Sequence, residues 1–459
     1  MESAKKHYAN GQLQAEIARR VSYRTESQAS EQAAQLHVYL KLELEAVLSR
    51  MGFTCLIVDN PLSGKPPLLF AERHEGDDLL TVLTYGHGDV VRGYDDQWSD
   101  GLNPWKLNVQ GDKWYGRGTA DNKGQHSINL AALETVIKVR NGRLGYNVKC
   151  LFETGEEIGS PGLKRYCELN TRQLKSDVFI ASDGPRLSAS QPTIFLGSRG
   201  SVLFELSINL RSGGLHSGNW GGLMRNPATI LANALASMVD GKGRILIPDL
   251  LPPPISPLIK TTLGKLSISD ALMGREIDKH WGEPGMSSAE KLLGWNSLEV
   301  LAFTSGNPAN PVNAIPPNAK AFCQLRFVVD TRWEELKAIL RKHLDAHGFE
   351  SVDVKVQRGT AATRLNPDNV WVRWAEQSMK SVLDREIAIL PNLGGTLPND
   401  VFANVLGLPT LWIPHSYPGC AQHAANEHML ASIADEGMQI MTSLFWDLGE
   451  LTPEQMHQS

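Results

Sequence analysis

The sequence predicts an α/β fold: a larger unit with a mainly parallel central sheet and helices on both faces, interrupted by a smaller inserted α+β unit. Three observations predict it. Short apolar runs bounded by glycine and polar residues recur in the first part of the chain and again near the end, as buried strands do. Stretches with apolar residues at helical spacing lie among them. Several acids and histidines stand just beyond these runs, where ligands gather on an open α/β sheet.

Taken in order, the first fifty residues read as helices. Leu36, Tyr39, Leu40, Leu42, Leu44, Val47 and Leu48 form an apolar helical stripe, ended by Met51-Gly52. Strands are predicted at Thr54 to Val58, Pro67 to Ala71 and Leu79 to Leu83. The last leads into Tyr85-Gly86-His87-Gly88-Asp89, so His87 sits where strand gives way to loop. Trp98 to Trp114 is loop-rich, with Gly101, Asn103-Pro104 and Gly111-Asp112 as turn signals. After Asp121 the period changes: Ile128, Ala131, Ala132, Leu133, Val136 and Ile137 have helical spacing. Asp121 therefore lies near a helix N-terminus, where the dipole favours its ionised form. Val148 to Phe152 precedes Glu153-Thr154-Gly155-Glu156-Glu157, and Asp177 to Ala181 precedes Ser182-Asp183-Gly184.

Beyond Asp183 the character shifts. Thr193 to Leu196 and Ser201 to Leu210 alternate apolar and polar positions, as antiparallel strands do. A glycine-rich loop, 211–218, holds His216, and Pro227 to Val239 reads as a helix. Residues 241–300 contain Leu251-Pro252-Pro253-Pro254 and give helical pieces without a detailed assignment. Strands are predicted at Leu298 to Phe303, Ala319 to Val328 and Ser351 to Val356, with a helix at Trp333 to His343. This order predicts a separate α+β unit over 199–358, inserted into a unit made of 1–198 and 359–459. The outer unit resumes with a helix from Asp368 to Leu383. A strand at Thr410 to Ile413 then leads into Gly419-Cys420-Ala421-Gln422-His423, before a helix near Leu430 to Leu448.

Composition excludes some partners. The 459 residues are 42% hydrophobic and 21% charged, with a formal charge of −5. Nothing there calls for nucleic acid or an anionic membrane. The first residues lack a signal peptide's apolar core, and no apolar run approaches membrane-spanning length. The five scattered cysteines form no CxxC pair, which predicts a reducing, cytoplasmic setting.

His87, Asp121, Glu157, Asp183 and His423 are the candidate metal ligands. Acids with histidine, and no cysteine pair, suit a divalent ion of the zinc or manganese type. Asp89, two residues past His87, is placed to accept that ring's second N–H and so fix its tautomer.

The strings GHGDVV at 86–91, GRGTADNKG at 116–124, ETGEEIGS at 153–160, SDG at 182–184, LHSG at 215–218 and HAANE at 423–427 carry a resemblance. Together they are specific: the chain resembles the M20 family of metallopeptidases, especially its carnosinase-like dipeptidase branch, over most of its length. The resemblance implies a catalytic domain binding two divalent ions, zinc or else manganese or cobalt. His87 and Asp183 hold one ion, Glu157 and His423 the other, and Asp121 bridges. It also implies a cis Asp121–Asn122 bond. Glu156 is the implied general base, because a metal lowers the pKa of bound water from 15.7 to about 7 and a carboxylate then suffices. Adjacent Glu156 and Glu157 point differently, so one can coordinate while the other faces substrate.

The same resemblance makes 199–358 a lid and dimerisation domain, and the protein a homodimer. His216 would reach the partner subunit's site and polarise the substrate carbonyl. Asn313 and Arg326 resemble positions that bind the substrate carboxylate or oxyanion. Thr396, in Gly394-Gly395-Thr396, stands where serine is frequent. His126, His415 and His428 read as structural. Two departures bear on substrate preference: no proline follows Arg326 in Phe327-Val328-Val329-Asp330, and Asn122 replaces a frequent Asp. The expected activity is hydrolysis of dipeptides or similar small amides bearing a free carboxylate. Deacylation of N-acyl or N-carbamoyl amino acids is the alternative within that chemistry. A non-catalytic metal-binding scaffold is the alternative outside it, and retention of Glu156 beside five ligands argues against that.

Overall fold

The computed structural model describes residues 1–268 and 276–456. Eight strands share one sheet. Their spatial order is Thr54–Val58, Leu68–Arg73, Asn147–Glu153, Thr81–His87, Val178–Ala181, Thr410–Trp412, Thr193–Phe195 and Ala388–Leu390. The four strands from Asn147–Glu153 to Thr410–Trp412 run parallel to one another. The first two pair antiparallel. Thr193–Phe195 runs against Thr410–Trp412 but along Ala388–Leu390.

Parallel strands need cover on both faces, and alternate residues supply it. Val82, Ile180 and Leu411 join Ile128, Val136, Met438 and Leu444 in one core. Leu83, Phe179 and Trp412 join Leu163, Leu263 and Phe402 in the other. Each such side chain contributes about 1.5–3 kcal/mol when fully buried. Helix Lys123–Val139 packs between Ala431–Leu448 and Gln12–Val21 and is buried on most sides. Its first turn presses on the preceding loop: a Cβ on Gly124 would lie 1.9 Å from the Thr119 carbonyl oxygen, so only glycine fits.

A second sheet is antiparallel throughout, ordered Ser297–Thr304, Asn318–Phe327, Gly200–Asn209 and Asp353–Val356. Helices Pro227–Met238 and Leu336–Ala346 cover it. Alternation in Gly200–Asn209 puts Val202, Phe204, Leu206 and Ile208 inward. Ser297–Thr304 forms an edge, and there Val300, Leu301 and Phe303 are 42%, 55% and 41% exposed.

Some elements depart from the sequence reading. Thr193–Phe195 belongs to the large sheet and is wholly buried, because its pairing partner is a parallel strand rather than Gly200–Asn209. Leu42 points to solvent while the rest of its stripe packs inward. The loop-rich segment around Trp114 holds strands Asn108–Gln110 and Lys113–Tyr115, which pair with each other, and the second also pairs with His428–Leu430. Among the described residues, no helix is long and apolar enough to cross a membrane.

Candidate active site

The site forms off one edge of the large sheet. His87 ends its strand, and Glu156 and Glu157 open the turn after Asn147–Glu153. Asp183 lies two residues past Val178–Ala181, and His423 lies in the loop beyond Thr410–Trp412. These are the C-terminal ends of four adjacent parallel strands. Asp121 comes from the loop before Lys123–Val139.

Asp121 is the hub. Its Oδ1 is 2.9 Å from His87 Nε2, and its Oδ2 is 3.0 Å from His423 Nε2. His87 Nε2 is also 3.6 Å from Asp183 Oδ2, and His423 Nε2 is 3.1 Å from Glu157 Oε2. Two trios of donor atoms therefore share Asp121: one with His87 and Asp183, the other with Glu157 and His423. In each, the atoms lie within 4.8 Å of one another. Glu156 comes within the same range of His87 and Glu157. The Asp121–Asn122 peptide bond is cis.

The acids outnumber the bases, and the electrostatics show it. Burial pushes Glu156 well above the usual carboxylate range; His87 opposes this, while Asp183, Glu157 and Asp121 add to it. Burial, then the charge of Asp121, raises Glu157 and Asp183 to about 7. Hydrogen bonds to Asp121 and Glu157 push His423 up to about 11. Burial opposes the charged form of His87, yet Asp121 and Asp89 hold it protonated well above the usual range. Such a cluster lacks positive charge. Glu157 Oε1 and Asp183 Oδ2 are buried without a hydrogen-bond partner, which folded proteins rarely tolerate. Both residues belong to the trios. Oxygen and imidazole donors with no thiolate fit divalent ions of the zinc or manganese type.

Asp89 does more than the sequence reading assigns it. His87 Nδ1 is 3.1 Å from the Asp89 backbone carbonyl and 3.4 Å from its carboxylate. That carboxylate accepts the backbone N–H groups of Glu156 at 3.2 Å and Glu157 at 3.1 Å. It therefore fixes the turn presenting both glutamates. The sequence reading assigned nothing to Gln422, which donates to Asp121 Oδ2. It gave no role to Glu427 either, whose carboxylate accepts the Asp121 N–H at 3.0 Å. The signal was an acid within the HAANE string; its burial was not readable.

A cleft of about 710 Å³ opens beside Glu156, Glu157 and His423, walled further by Lys164, Trp333, Arg358, Thr396 and Asp400. Arg326 Nη1 donates to Thr396 Oγ1 at 3.0 Å, and that hydroxyl donates to the Arg199 carbonyl at 2.9 Å. His216 and Asn313 stand apart. Leu215–His216 pairs with Ala314–Ile315 in a two-stranded ribbon, both residues are exposed, and neither lines the cleft. His126 bonds Tyr39 and Asn122, and His428 bonds Tyr417. His415 is buried, with neither ring nitrogen partnered.

Acids and histidines gathered at a parallel sheet's edge into trios with a common carboxylate are the build of a metal-dependent hydrolase. The chain belongs to peptidase family M20/M25/M40, whose profile matches residues 83–447. It is 25% identical over 408 residues to the Beta-Ala-His dipeptidase of Mus musculus, covering 84% of this chain and 80% of that protein. It is 25% identical over 424 residues to a Cys-Gly metallodipeptidase of Schizosaccharomyces pombe, covering 84% of each. Among solved structures, an M20 family metallo-carboxypeptidase from Sulfolobus solfataricus superposes with a TM-score of 0.80 at 25% identity. That match covers 96% of this chain and 99% of the other.

Proposed function

We propose that this metallopeptidase cleaves dipeptides and similar small amides with a free carboxylate. The observation that carries the reading is Asp121 shared between the His87–Asp183 and Glu157–His423 pairs. Two divalent ions, zinc foremost with manganese or cobalt as other occupants, would supply Lewis acidity to a water and to the amide carbonyl. Glu156 lies outside the two trios that share Asp121, so its carboxylate is free to take the water's proton and pass it to the leaving amine. Asp89 keeps Glu156 and the His87 ring aimed. Arg326 and Thr396 receive the substrate's carboxylate, for which a guanidinium fork is suited.

The cleft wall favours a dipeptide over an acyl amino acid. A free amino end needs an acidic partner, and Asp400 and Glu334 both line the cleft. We assign 1–198 and 359–459 to the catalytic domain and 199–358 to a lid that also dimerises. The exposed apolar edge at Val300, Leu301 and Phe303 supports a second copy as its cover. His216 and Asn313 would then act in the partner's cleft. Free cysteines support a cytoplasmic setting.

The test joins metal analysis to a substrate panel. Chelation should abolish dipeptide hydrolysis, and Glu156→Gln should lose about 10²–10⁴-fold in rate while keeping its metal. Activity surviving in Glu156→Gln, or faster turnover of N-acyl amino acids, would overturn the reading.

A further inference from the structure

Arg117 and Glu427 form an ion pair, 310 residues apart in sequence, whose side chains are 0% and 1% exposed. Arg117 Nη1 donates to Glu427 Oε2 at 2.6 Å. Glu427 Oε1 accepts three backbone N–H groups, from Gly118 at 3.1 Å, Ala120 at 2.9 Å and Asp121 at 3.0 Å. The second prong of Arg117 donates to the carbonyl of Ala424, next to His423, at 2.9 Å. One ion pair thus ties the loop carrying Asp121 to the loop carrying His423.

The two trios depend on this tie unequally. His87 and Asp183 extend from neighbouring strands, directly paired through Val82 with Val178 and Leu83 with Phe179. Backbone hydrogen bonds already set their spacing. His423 lies well past the end of Thr410–Trp412, so no sheet hydrogen bonds set its position directly. Its loop holds Ala421, His423 and Asn426 at φ of 55°, 61° and 63°, the left-handed region, which is least favourable for Ala421 and more readily adopted by Asn and His. Such a loop keeps its shape only when contacts from outside hold it. Those contacts include the Arg117 prong on Ala424 and the bonds between Asn426 and Ser99.

We propose that the Arg117–Glu427 pair is a positioning device that holds His423 against Asp121 and thereby sets the affinity of one ion site more than that of the other. The site made by Asp121, Glu157 and His423 depends on it at two ligands, Asp121 and His423, whereas the site made by His87, Asp121 and Asp183 depends on it only at Asp121, its other two ligands being set by the sheet. The proposal rests on the two-ion reading above.

The test is stepwise titration of metal-free protein with Zn²⁺ and Co²⁺ against a chromophoric chelator, with bound metal counted by mass spectrometry. Arg117→Lys keeps the charge and loses the fork. Glu427→Gln keeps the shape and loses the charge. In both, the second ion should weaken about tenfold or more beyond any loss at the first, the scale on which groups supporting a ligand act. A merely structural role would lower the melting temperature without separating the two affinities. Loss of both ions in parallel, or two ions bound at unaltered affinity, would overturn the proposal. Should neither variant fold, amide exchange on the unaltered metal-free chain decides. The N–H groups of Gly118, Ala120 and Asp121 should be protected, and exchange at free-loop rates would refute the tie. If the unaltered chain takes up fewer than two ions, the two-ion reading itself fails, whatever the variants do.

Discussion

Arg326 donates to the hydroxyl of Thr396 across 3.0 Å, linking a strand of the antiparallel sheet to the loop that walls the cleft. Hydrogen bonds to charged groups are worth about 1.5–3 kcal/mol, or roughly ten- to a hundredfold in affinity. Arg326→Lys should therefore raise KM for dipeptides by about that factor. C-terminally amidated peptides should be nearly indifferent to the change. Equal losses on both would remove Arg326 from carboxylate binding.

Asp89 braces two backbone N–H groups and one imidazole. Asn at this position offers one acceptor where two are used. Asp89→Asn should lower kcat or metal affinity about 10–100-fold, the usual cost of disturbing a group that orients metal ligands. An unchanged kcat with unchanged metal content would show that the turn holds itself.

Asp400 lines the cleft and is raised above the usual carboxylate range by burial, against the pull of Lys164 and Arg358. If it receives the substrate's ammonium, Asp400→Asn should raise KM for dipeptides about tenfold or more. Peptides with a blocked amino end should be affected least. Competition kinetics on matched free and acetylated substrates make the comparison.

Glu153 is buried beneath the glutamate turn, accepting hydrogen bonds from Tyr85 and Ser160 at 2.7 and 2.8 Å. Burial, then the charge of Asp89, raises it to about 7 from the ordinary 4.5. Between those values the native state binds more protons than the unfolded chain, so its stability falls as pH rises through that window. At about 1.4 kcal/mol per pH unit the contribution is on the order of 3 kcal/mol. Denaturant melts of metal-free protein at pH 4.5 and 7 should show a smaller loss in Glu153→Gln. Identical slopes in both proteins would contradict it.

The strands were legible where a short apolar run stops at glycine or a charge. Thr54–Val58 was predicted to the residue, and His87 and Asp183 were placed at strand ends because the runs before them end abruptly. Long-range partnership was not legible. Nothing local to Glu427 announces that its carboxylate is buried against a loop three hundred residues earlier. Thr193–Phe195 is too short for its alternation to choose between sheets, and only the pairing with Ala388–Leu390 decides. His428–Leu430 becomes a strand only by meeting Lys113–Tyr115, far away in sequence.

The eight-stranded sheet places Thr410–Trp412 directly beside Val178–Ala181. While the chain is being synthesised, His87, Asp121, Glu157 and Asp183 emerge long before His423, so a nascent polypeptide presents an acidic half-site with one imidazole. Its last wall arrives only when the C-terminal strand docks, a distant contact of the kind that slows folding. On the two-ion reading, the full ligand set is therefore expected to assemble only after Thr410–Trp412 has docked beside Val178–Ala181.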